Sequence, residues 1–435
     1  MERTVESKRA WDRLATCALV VSVLVSAWMY VSLRGQTYQM DERSHYIQVR
    51  MFHAGQWELF KLEGRSHAYN AMIPGHHALV AVACKLSPEL SLDLARSVGV
   101  PIGWGVLILA FAIARSIATR EAGPDDGTAP ISRDGVALLT GLQVFTIPVL
   151  LVLHPLLYTD SFSLLLCLAA LQATLLRRHG VAGLLVGLSL LVRQSNIVFG
   201  AFLFLFGLVE ASGWRVSLQD VRDHLVRCWT HLLAWAAFVV FVLVNGRIAL
   251  DDPEMQSVTF SMGNPLLALI LLTVGMAPLL LESLLKGELA KTWSRMGRAK
   301  LLAWSVGLML LAASAYDFRA VHPLNDYDTM IRNHVLNWLT GEGRLVFVFL
   351  VLCGGLLLSV TKLRMKASPT IGIVAVGTLV PILLVEPRYA IPSLALWHLF
   401  REKRHPAVEL ALLVYQLMFG VALHLIHLRP GELFL

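Results

Sequence analysis

The chain has 435 residues, of which 56% are hydrophobic and only 15% are charged, and its net charge is +7. Soluble proteins average about 45–50% apolar and about 25% charged residues, so this composition excludes a soluble domain and a disordered chain. The apolar residues suffice for about 12 membrane spans of ~20 residues, and their continuous runs exclude a barrel of alternating strands. We therefore predict an all-α, polytopic membrane protein with one domain over residues 1–435.

The apolar runs predict about 12–14 membrane segments, several of them too short to cross a ~30 Å hydrocarbon core alone. They lie at residues 14–33, 71–90, 97–118, 135–153, 161–176, 181–192, 197–209, 228–250, 263–284, 301–316, 345–360, 370–385, 389–400 and 407–425. The first run follows a basic tail and has no small-residue cleavage site. We therefore predict a retained first span instead of a removed signal peptide.

The basic residues lie in short clusters between the apolar runs, and the positive-inside rule places such clusters in cytoplasmic loops. The charges therefore indicate topology, and no nucleic-acid partner is expected. From Arg177 onward, the alternation predicts a non-cytoplasmic location for residues 193–196, 251–262, 317–342 and 386–388, which is also the side of a first loop at 34–70. Upstream of Arg177, the number of predicted membrane crossings differs by one from the number that this alternation requires. Either the region 135–158 is broken at Pro148, or one run is re-entrant.

The sequence contains no motif for binding a nucleotide or a metal ion. Walker A, GxGxxG, HExxH and Ser/His/Asp motifs are absent, and the five cysteines are scattered without a CxxC pair. A disulfide framework and a zinc site are therefore not indicated. Any group donor is expected to be presented from within the membrane.

Two adjacent carboxylates, Asp41 and Glu42, open the first external loop, and His45 follows them. One carboxylate suits a general base for an acceptor hydroxyl. The other, or His45, suits the orientation of that base or the binding of a metal. The alternative is that all three are solvated residues of a loop near the membrane surface.

A polar island separates two short apolar runs at Arg193, Gln194 and Asn196. Charged groups at membrane depth cost several kcal/mol and commonly mark function, although a polar hairpin tip is the alternative here. Asp160 begins another apolar run. It is a candidate functional residue, and the alternative is that it caps the N-terminus of a helix.

A third polar island is formed by Glu386, Arg388 and Tyr389. The Arg388 guanidinium suits a phosphate group through charge-assisted hydrogen bonds, and its alternative is an ion pair with Glu386. The external segment 321–334 is dense in potential ligands, among them Asp326, Arg332 and His334. Loops of this length are often binding loops, but a plain surface segment is the alternative.

Five short motifs across residues 38–392 resemble, in order and approximate spacing, the dolichyl-phosphate-glucose α-1,2-glucosyltransferase family. They are Met-Asp-Glu-Arg-Ser-His at 40–45, Tyr-Thr-Asp at 158–160, Arg-Gln-Ser-Asn-Ile at 193–197, Val-Asn-Gly-Arg-Ile at 244–248 and Val-Glu-Pro-Arg-Tyr at 385–389. Three features depart from the family pattern. Asp251 replaces a glycine, Pro392 falls one place early, and a family loop with an Arg-His pair is only loosely matched at 322–338.

The resemblance implies a GT-C-type membrane bundle whose active site faces the lumen or the periplasm. It places the protein in the endoplasmic-reticulum membrane of a eukaryote or the plasma membrane of a prokaryote. The implied reaction moves glucose from a polyprenyl- or dolichyl-phosphate donor to a lipid-linked oligosaccharide. A β-linked donor that gives an α-product requires inversion, hence a single displacement.

The resemblance also implies roles for individual residues. Asp41 is the expected base and Glu42 and His45 are its orienting partners, although Asp41 and Glu42 could exchange these roles. Arg388, with Arg193 second, is the expected phosphate clamp. Further donor contacts are expected at Gln194, Asn196 and Tyr389, and secondary substrate contacts at Asp160, Asn245, Asp326, Arg332 and His334. No metal or other cofactor is expected to be required, because a lipid phosphate is already a competent leaving group.

Three other functions are compatible with parts of this pattern. Polar islands in broken helices also describe a lipid or solute transporter, although no inverted repeat between the two halves is found. A non-catalytic scaffold would not need polar islands gathered on one face. Within the enzyme class, the alternative is a GT-C transferase for mannose or arabinose.

Overall fold

The structure is a computed structural model that describes residues 2–39, 41–57, 72–121, 131–250, 259–325 and 331–428. Over these ranges the chain forms α-helices, three short 3₁₀ turns and one isolated β-bridge between Leu363 and Arg401, with no strand. The predicted all-α class is confirmed.

The described residues of the N-terminal half form ten helices. They are α1 Glu2–Leu33, α2 Glu42–His53, α3 Gly75–Cys84, α4 Leu92–Ser97, α5 Gly99–Glu121, α6 Arg133–Phe145, α7 Pro148–Leu153, α8 Asp160–Leu175, α9 His179–Leu190 and α10 Asn196–Ser212. Pro148 begins α7, where its missing N–H costs no helical hydrogen bond. The region 135–158 is therefore broken at Pro148, as in one of the two alternatives left by the charge pattern.

The C-terminal half contains eleven helices among the described residues. They are α11 Leu218–Arg227, α12 Trp229–Asn245, α13 Gly263–Gly275, α14 Ala277–Leu285, α15 Glu288–Arg295, α16 Arg298–Asp317, α17 Ile331–Thr340, α18 Arg344–Val360, α19 Ile371–Leu379, α20 Ile391–Phe400 and α21 Pro406–His427. The 3₁₀ turns are Pro323–Asn325, Ser368–Thr370 and Pro387–Ala390. The last of these turns carries Arg388 into the site described below.

The apolar helices that correspond to the expected membrane segments differ in length. Four helices in the described ranges are long and apolar enough to span a membrane, or up to seven segments if each of three sharply bent helix pairs counts as one span. The four are Lys8–Leu33, Leu92–Arg120, Arg298–Asp317 and Pro406–His427. Five shorter apolar helices accompany them. Short or bent helices are tolerated at membrane depth where neighbouring helices bury the freed backbone groups.

The loop expected at residues 34–70 is only partly a loop, because α2 occupies Glu42–His53. Tyr46, Val49 and Phe52 recur at helical spacing and are buried on one face of α2. That face also buries Glu42 and His45, and these polar residues interrupt the apolar pattern from which a helix would be predicted. Residues 58–70 lie outside the described part of the chain.

Small residues let the helices of the core approach closely. A Cβ atom at Gly183 of α9 would lie 2.2 Å from the Thr230 hydroxyl of α12. One at Gly354 of α18 would lie 2.4 Å from the Leu269 carbonyl oxygen of α13. Glycine at such crossings permits close backbone packing in membrane bundles.

Candidate active site

Asp41 and Arg388 meet at one end of the helical bundle, although 347 residues separate them in the chain. The Arg388 guanidinium donates a hydrogen bond from Nη2 to Asp41 Oδ2 at 3.0 Å. Its Nε also donates to Glu386. The Arg388–Glu386 ion pair, which the sequence offered as the alternative to phosphate binding, is therefore present as well. The Asp41 side chain remains 45% exposed, whereas that of Arg388 is 14% exposed. Asp41 is therefore accessible to a ligand and is held by a buried cation.

The Glu42 side chain, unlike that of the adjacent Asp41, is enclosed by the protein. Its carboxylate is fully buried against Arg96, with Nη2–Oε2 at 2.6 Å and Nε–Oε1 at 3.0 Å. The backbone N–H groups of Gln39 and Leu157 donate to the same carboxylate at 2.8 and 2.9 Å. With four donors on its two oxygens, Glu42 anchors the start of α2 and has no face open to a ligand.

Arg96 is a residue that the sequence motifs did not single out. Besides Glu42, its guanidinium donates to the carbonyl oxygens of Leu33, Gln36 and Thr37 at 2.9–3.2 Å. It thereby fixes the connection between α1 and Asp41. The sequence could have indicated this residue, because Arg96 lies at the edge of a long apolar run. A charged side chain in that position is energetically costly unless it is paired.

Arg193 and Asp160 form a second paired unit. The guanidinium contacts both carboxylate oxygens at 3.0 and 3.1 Å and donates from Nε to the Thr159 hydroxyl at 3.0 Å. The Asn196 amide donates to the Ser163 hydroxyl and the Ser189 carbonyl oxygen, each at 2.9 Å. These contacts join α8, α9 and α10 at the end of the bundle where Arg193 lies.

A cavity of about 330 Å³ lies between these units. Its polar lining includes Arg193, Gln194, His322, Arg388 and Tyr389. Its opposite wall is apolar and is formed mainly by residues 381–384 with Val198 and Phe238. A smaller adjoining space is lined by Asp160, Asn196 and the same two arginines. The cavity suits a ligand with an anionic group joined to an apolar chain.

His45 lies behind Asp41 and contacts His77. Its Nδ1 is 2.8 Å from His77 Nε2, and the two rings are stacked. Burial, followed by the charge of His77, lowers the pKa of His45 well below its ordinary value. His45 is therefore neutral at pH 7. Its ring lies against Tyr158, whose hydroxyl accepts a hydrogen bond from the Asp41 backbone N–H at 3.2 Å.

Tyr158 contacts both Asp41 and Arg388. The Arg388 guanidinium lies 5.6 Å from the centre of the Tyr158 ring, within the range of a cation–π contact. Burial, followed by the negative charge of Asp41, raises the pKa of Tyr158 well above its ordinary value. The phenol therefore stays protonated. The His45 side chain is linked to Asp41 through this ring, and the His45 backbone N–H donates to the Asp41 carbonyl oxygen at 3.1 Å.

The remaining predicted contacts lie at different places. Asn245 donates to the carbonyl oxygens of Arg247 and Ala249, both at 2.9 Å, and so shapes the turn that brings Ala249 to the cavity. His334 is exposed on α17 and is not part of the cavity lining. Asp326 and the side chain of Arg332 lie outside the described residues.

The fold and the site define a polytopic helical membrane protein with an acidic and an arginine-rich group at one end of its bundle. The comparisons with known proteins identify the family. Residues 36–215 and 206–399 match the DIE2/ALG10 family. The chain therefore belongs to the DIE2/ALG10 family, the family of the dolichyl-phosphate-glucose α-1,2-glucosyltransferases. It is a membrane glycosyltransferase, and the transporter and scaffold alternatives are set aside.

Among solved structures, the chain is similar to ArnT from Cupriavidus metallidurans in the apo state. The two are 17% identical with a TM-score of 0.40, and the match covers 93% of this chain and 78% of that one. No curated protein sequence matches the chain significantly.

The role of Glu42 as an anchor is tested through its partner. We expect Arg96→Met to lower the free energy of unfolding by about 3–5 kcal/mol, because it leaves a buried carboxylate without its cation. The control is Arg115→Met, whose ion pair with Asp134 is exposed at both ends and should cost about 1 kcal/mol or less. Thermal unfolding of both variants in detergent measures the difference. Equal losses would show that the Glu42–Arg96 pair does not anchor the site.

Proposed function

We propose that the protein transfers glucose from a polyprenyl-phosphate donor to a hydroxyl group of a lipid-linked oligosaccharide. The observation that carries this proposal is that the accessible Asp41 is hydrogen-bonded to Arg388, which lines an amphipathic cavity. The apolar wall at residues 381–384 suits the prenyl chain, and the guanidinium groups of Arg193 and Arg388 suit the phosphate. The family membership supports the same donor and acceptor classes.

The proposed reaction is a single in-line displacement at the anomeric carbon. The acceptor oxygen forms a bond to that carbon while the bond to the lipid phosphate breaks. The acceptor proton passes to Asp41, and the phosphate leaves with the electron pair of the broken bond. A β-linked donor then gives an α-linked product, and the departing charge is stabilised by the arginines.

Asp41 is the proposed base, because it is the accessible carboxylate of the pair. Glu42 is enclosed by four N–H donors and serves to position the start of α2. Before substrate binds, Arg388 holds Asp41. A donor phosphate would compete for the same guanidinium and leave one Asp41 oxygen free for the acceptor. This exchange favours binding of the donor before the acceptor.

The proposed location follows from the charge pattern. The basic clusters lie at the opposite end of the bundle from Asp41 and Arg388, so the active site is proposed to face the non-cytoplasmic side. That side is the lumen in an endoplasmic-reticulum membrane and the periplasm in a prokaryotic plasma membrane. The absence of a metal requirement stays a prediction.

Removal of the proposed base tests the mechanism. We expect Asp41→Asn to lower kcat by ~10² or more with the fold intact, since the amide cannot accept the proton of the acceptor. The control is Asp134→Asn, an exposed, ion-paired carboxylate outside the cavity. Turnover with purified lipid-phosphate donor measures both. Near-wild-type turnover of Asp41→Asn would refute carboxylate base catalysis at this position.

Replacing the proposed phosphate clamp tests donor binding. Arg388→Lys keeps a positive charge but loses the planar guanidinium that binds Glu386 and Asp41 at once. We expect the donor KM to rise more than the acceptor KM. Steady-state kinetics with each substrate varied in turn measure the two effects. Unchanged donor kinetics would leave Arg388 with a purely structural ion pair.

A further inference from the structure

A second polar cavity, of about 310 Å³, lies at the other end of the bundle. Arg401 on its wall follows Arg388 by 13 residues, and α20 spans most of that interval. At ~1.5 Å per helical residue, the two arginines are roughly 20 Å apart along α20. The proposed transferase mechanism makes no use of this cavity.

Three separate segments supply the charge of this cavity. Among the described residues, its lining has six basic side chains and two carboxylates, Glu288 and Glu402. The basic side chains are Lys291 and Arg295 on α15, Lys362 after α18, and Arg401, Lys403 and Arg404 between α20 and α21. Topology accounts for basic residues at this end of the bundle, but it does not require them to surround one space.

Several of these cations lack a close carboxylate partner. Lys362 Nζ is 3.9 Å from Glu402, and Lys291 donates to a backbone carbonyl oxygen. Within the described ranges, Arg295 has no ion pair. Arg404, in contrast, is paired with Glu288. The cavity therefore holds an excess of positive charge, with Lys291 and Arg295 lacking an ion pair in the described part of the chain and Lys362 in a long one with Glu402.

Two buried N–H groups at this cavity have no acceptor among the described residues. They are Arg401 Nε and Trp397 Nε1, and the Arg401 guanidinium lies 5.4 Å from the Trp397 ring centre. The other Arg401 donors are taken by Glu409 and Gln143. Both atoms are buried behind the cavity wall, so the groups that remain available to a ligand are the exposed cations.

Lys403, which also lines the cavity, has only uncharged hydrogen-bond acceptors among the described residues. It donates to Gln143 Oε1 at 3.2 Å and to the His398 carbonyl oxygen at 2.8 Å, and neither acceptor is charged. Burial, followed by repulsion from Arg401, lowers the pKa of Lys403 well below its ordinary value. An anion in the cavity would offset both effects.

We propose that this cavity binds a phosphate group, carried by an anionic lipid of the adjoining membrane leaflet. Basic pockets between membrane helices bind phosphate headgroups in this manner. The lipid source is favoured because the cavity lies at one end of a bundle of membrane helices, where its exposed cations can meet the headgroups of the adjoining leaflet. The phosphate would contact Lys291, Arg295 and Lys362, whose side chains are exposed.

The test compares two triple variants with equal loss of charge. The cavity variant carries Lys291→Ala, Arg295→Ala and Lys362→Ala. The control carries Arg298→Ala, Lys300→Ala and Lys366→Ala, three exposed basic residues of the same end that do not line the cavity. Native mass spectrometry of the full-length protein measures retention of dioleoylphosphatidic acid against dioleoylphosphatidylcholine. Thermal unfolding of the delipidated protein with excess inorganic phosphate measures the free anion.

We expect the cavity variant to bind phosphatidic acid at least ~10-fold more weakly than the wild type, with the control unchanged. Phosphatidylcholine should show no such difference. Stabilisation by inorganic phosphate that only the cavity variant loses would support the phosphate site and assign it a free anion as ligand. Equal losses in both variants, or no preference for the anionic probes, would overturn the proposal.

Discussion

The buried ion pair between Glu42 and Arg96 is the constraint on which the candidate active site depends. It joins the start of α2 to the start of the long α4–α5 segment, and Arg96 also binds the backbone that leaves α1. A charged pair without solvent is stable only when its hydrogen bonds are complete, and here they are. Asp41 is one residue away, so its position is set by this pair while its own carboxylate stays accessible.

Arg388 extends the same constraint to the C-terminal half. Its contact with Asp41 completes a site that is formed by the residue before α2, the start of α8, the turn before α10 and the turn before α20. The other cavity lies at the far end of α20 and draws on the clusters expected at the cytoplasmic face. The short helix α20 thus separates two groups of arginines. At one end the arginines lie beside carboxylates and an apolar wall, and at the other end they lie among excess positive charge.

The all-α class was predictable because long apolar runs with few charges have few other solutions. Asp41, Arg193 and Arg388 were predictable as candidates because polar residues stand out between such runs. Their pairing was not predictable, since the contacts of Arg193 with Asp160 and of Arg96 with Glu42 depend on how distant helices pack. The helix α2 was missed because its buried face includes Glu42 and His45, which obscure the apolar period.

The central claim is that this membrane glycosyltransferase uses a lipid-phosphate sugar and inverts its configuration. The most direct measurement incubates the purified protein and a lipid-linked glycan with glucose, mannose and arabinose, each as the polyprenyl-phosphate β-glycoside, and in parallel with UDP-glucose. The anomeric configuration of any product is then determined by NMR. We expect an α-linked glucose product from polyprenyl-phosphate glucose and none from UDP-glucose. Transfer from UDP-glucose alone, or a β-linked product from the lipid donor, would contradict the claim.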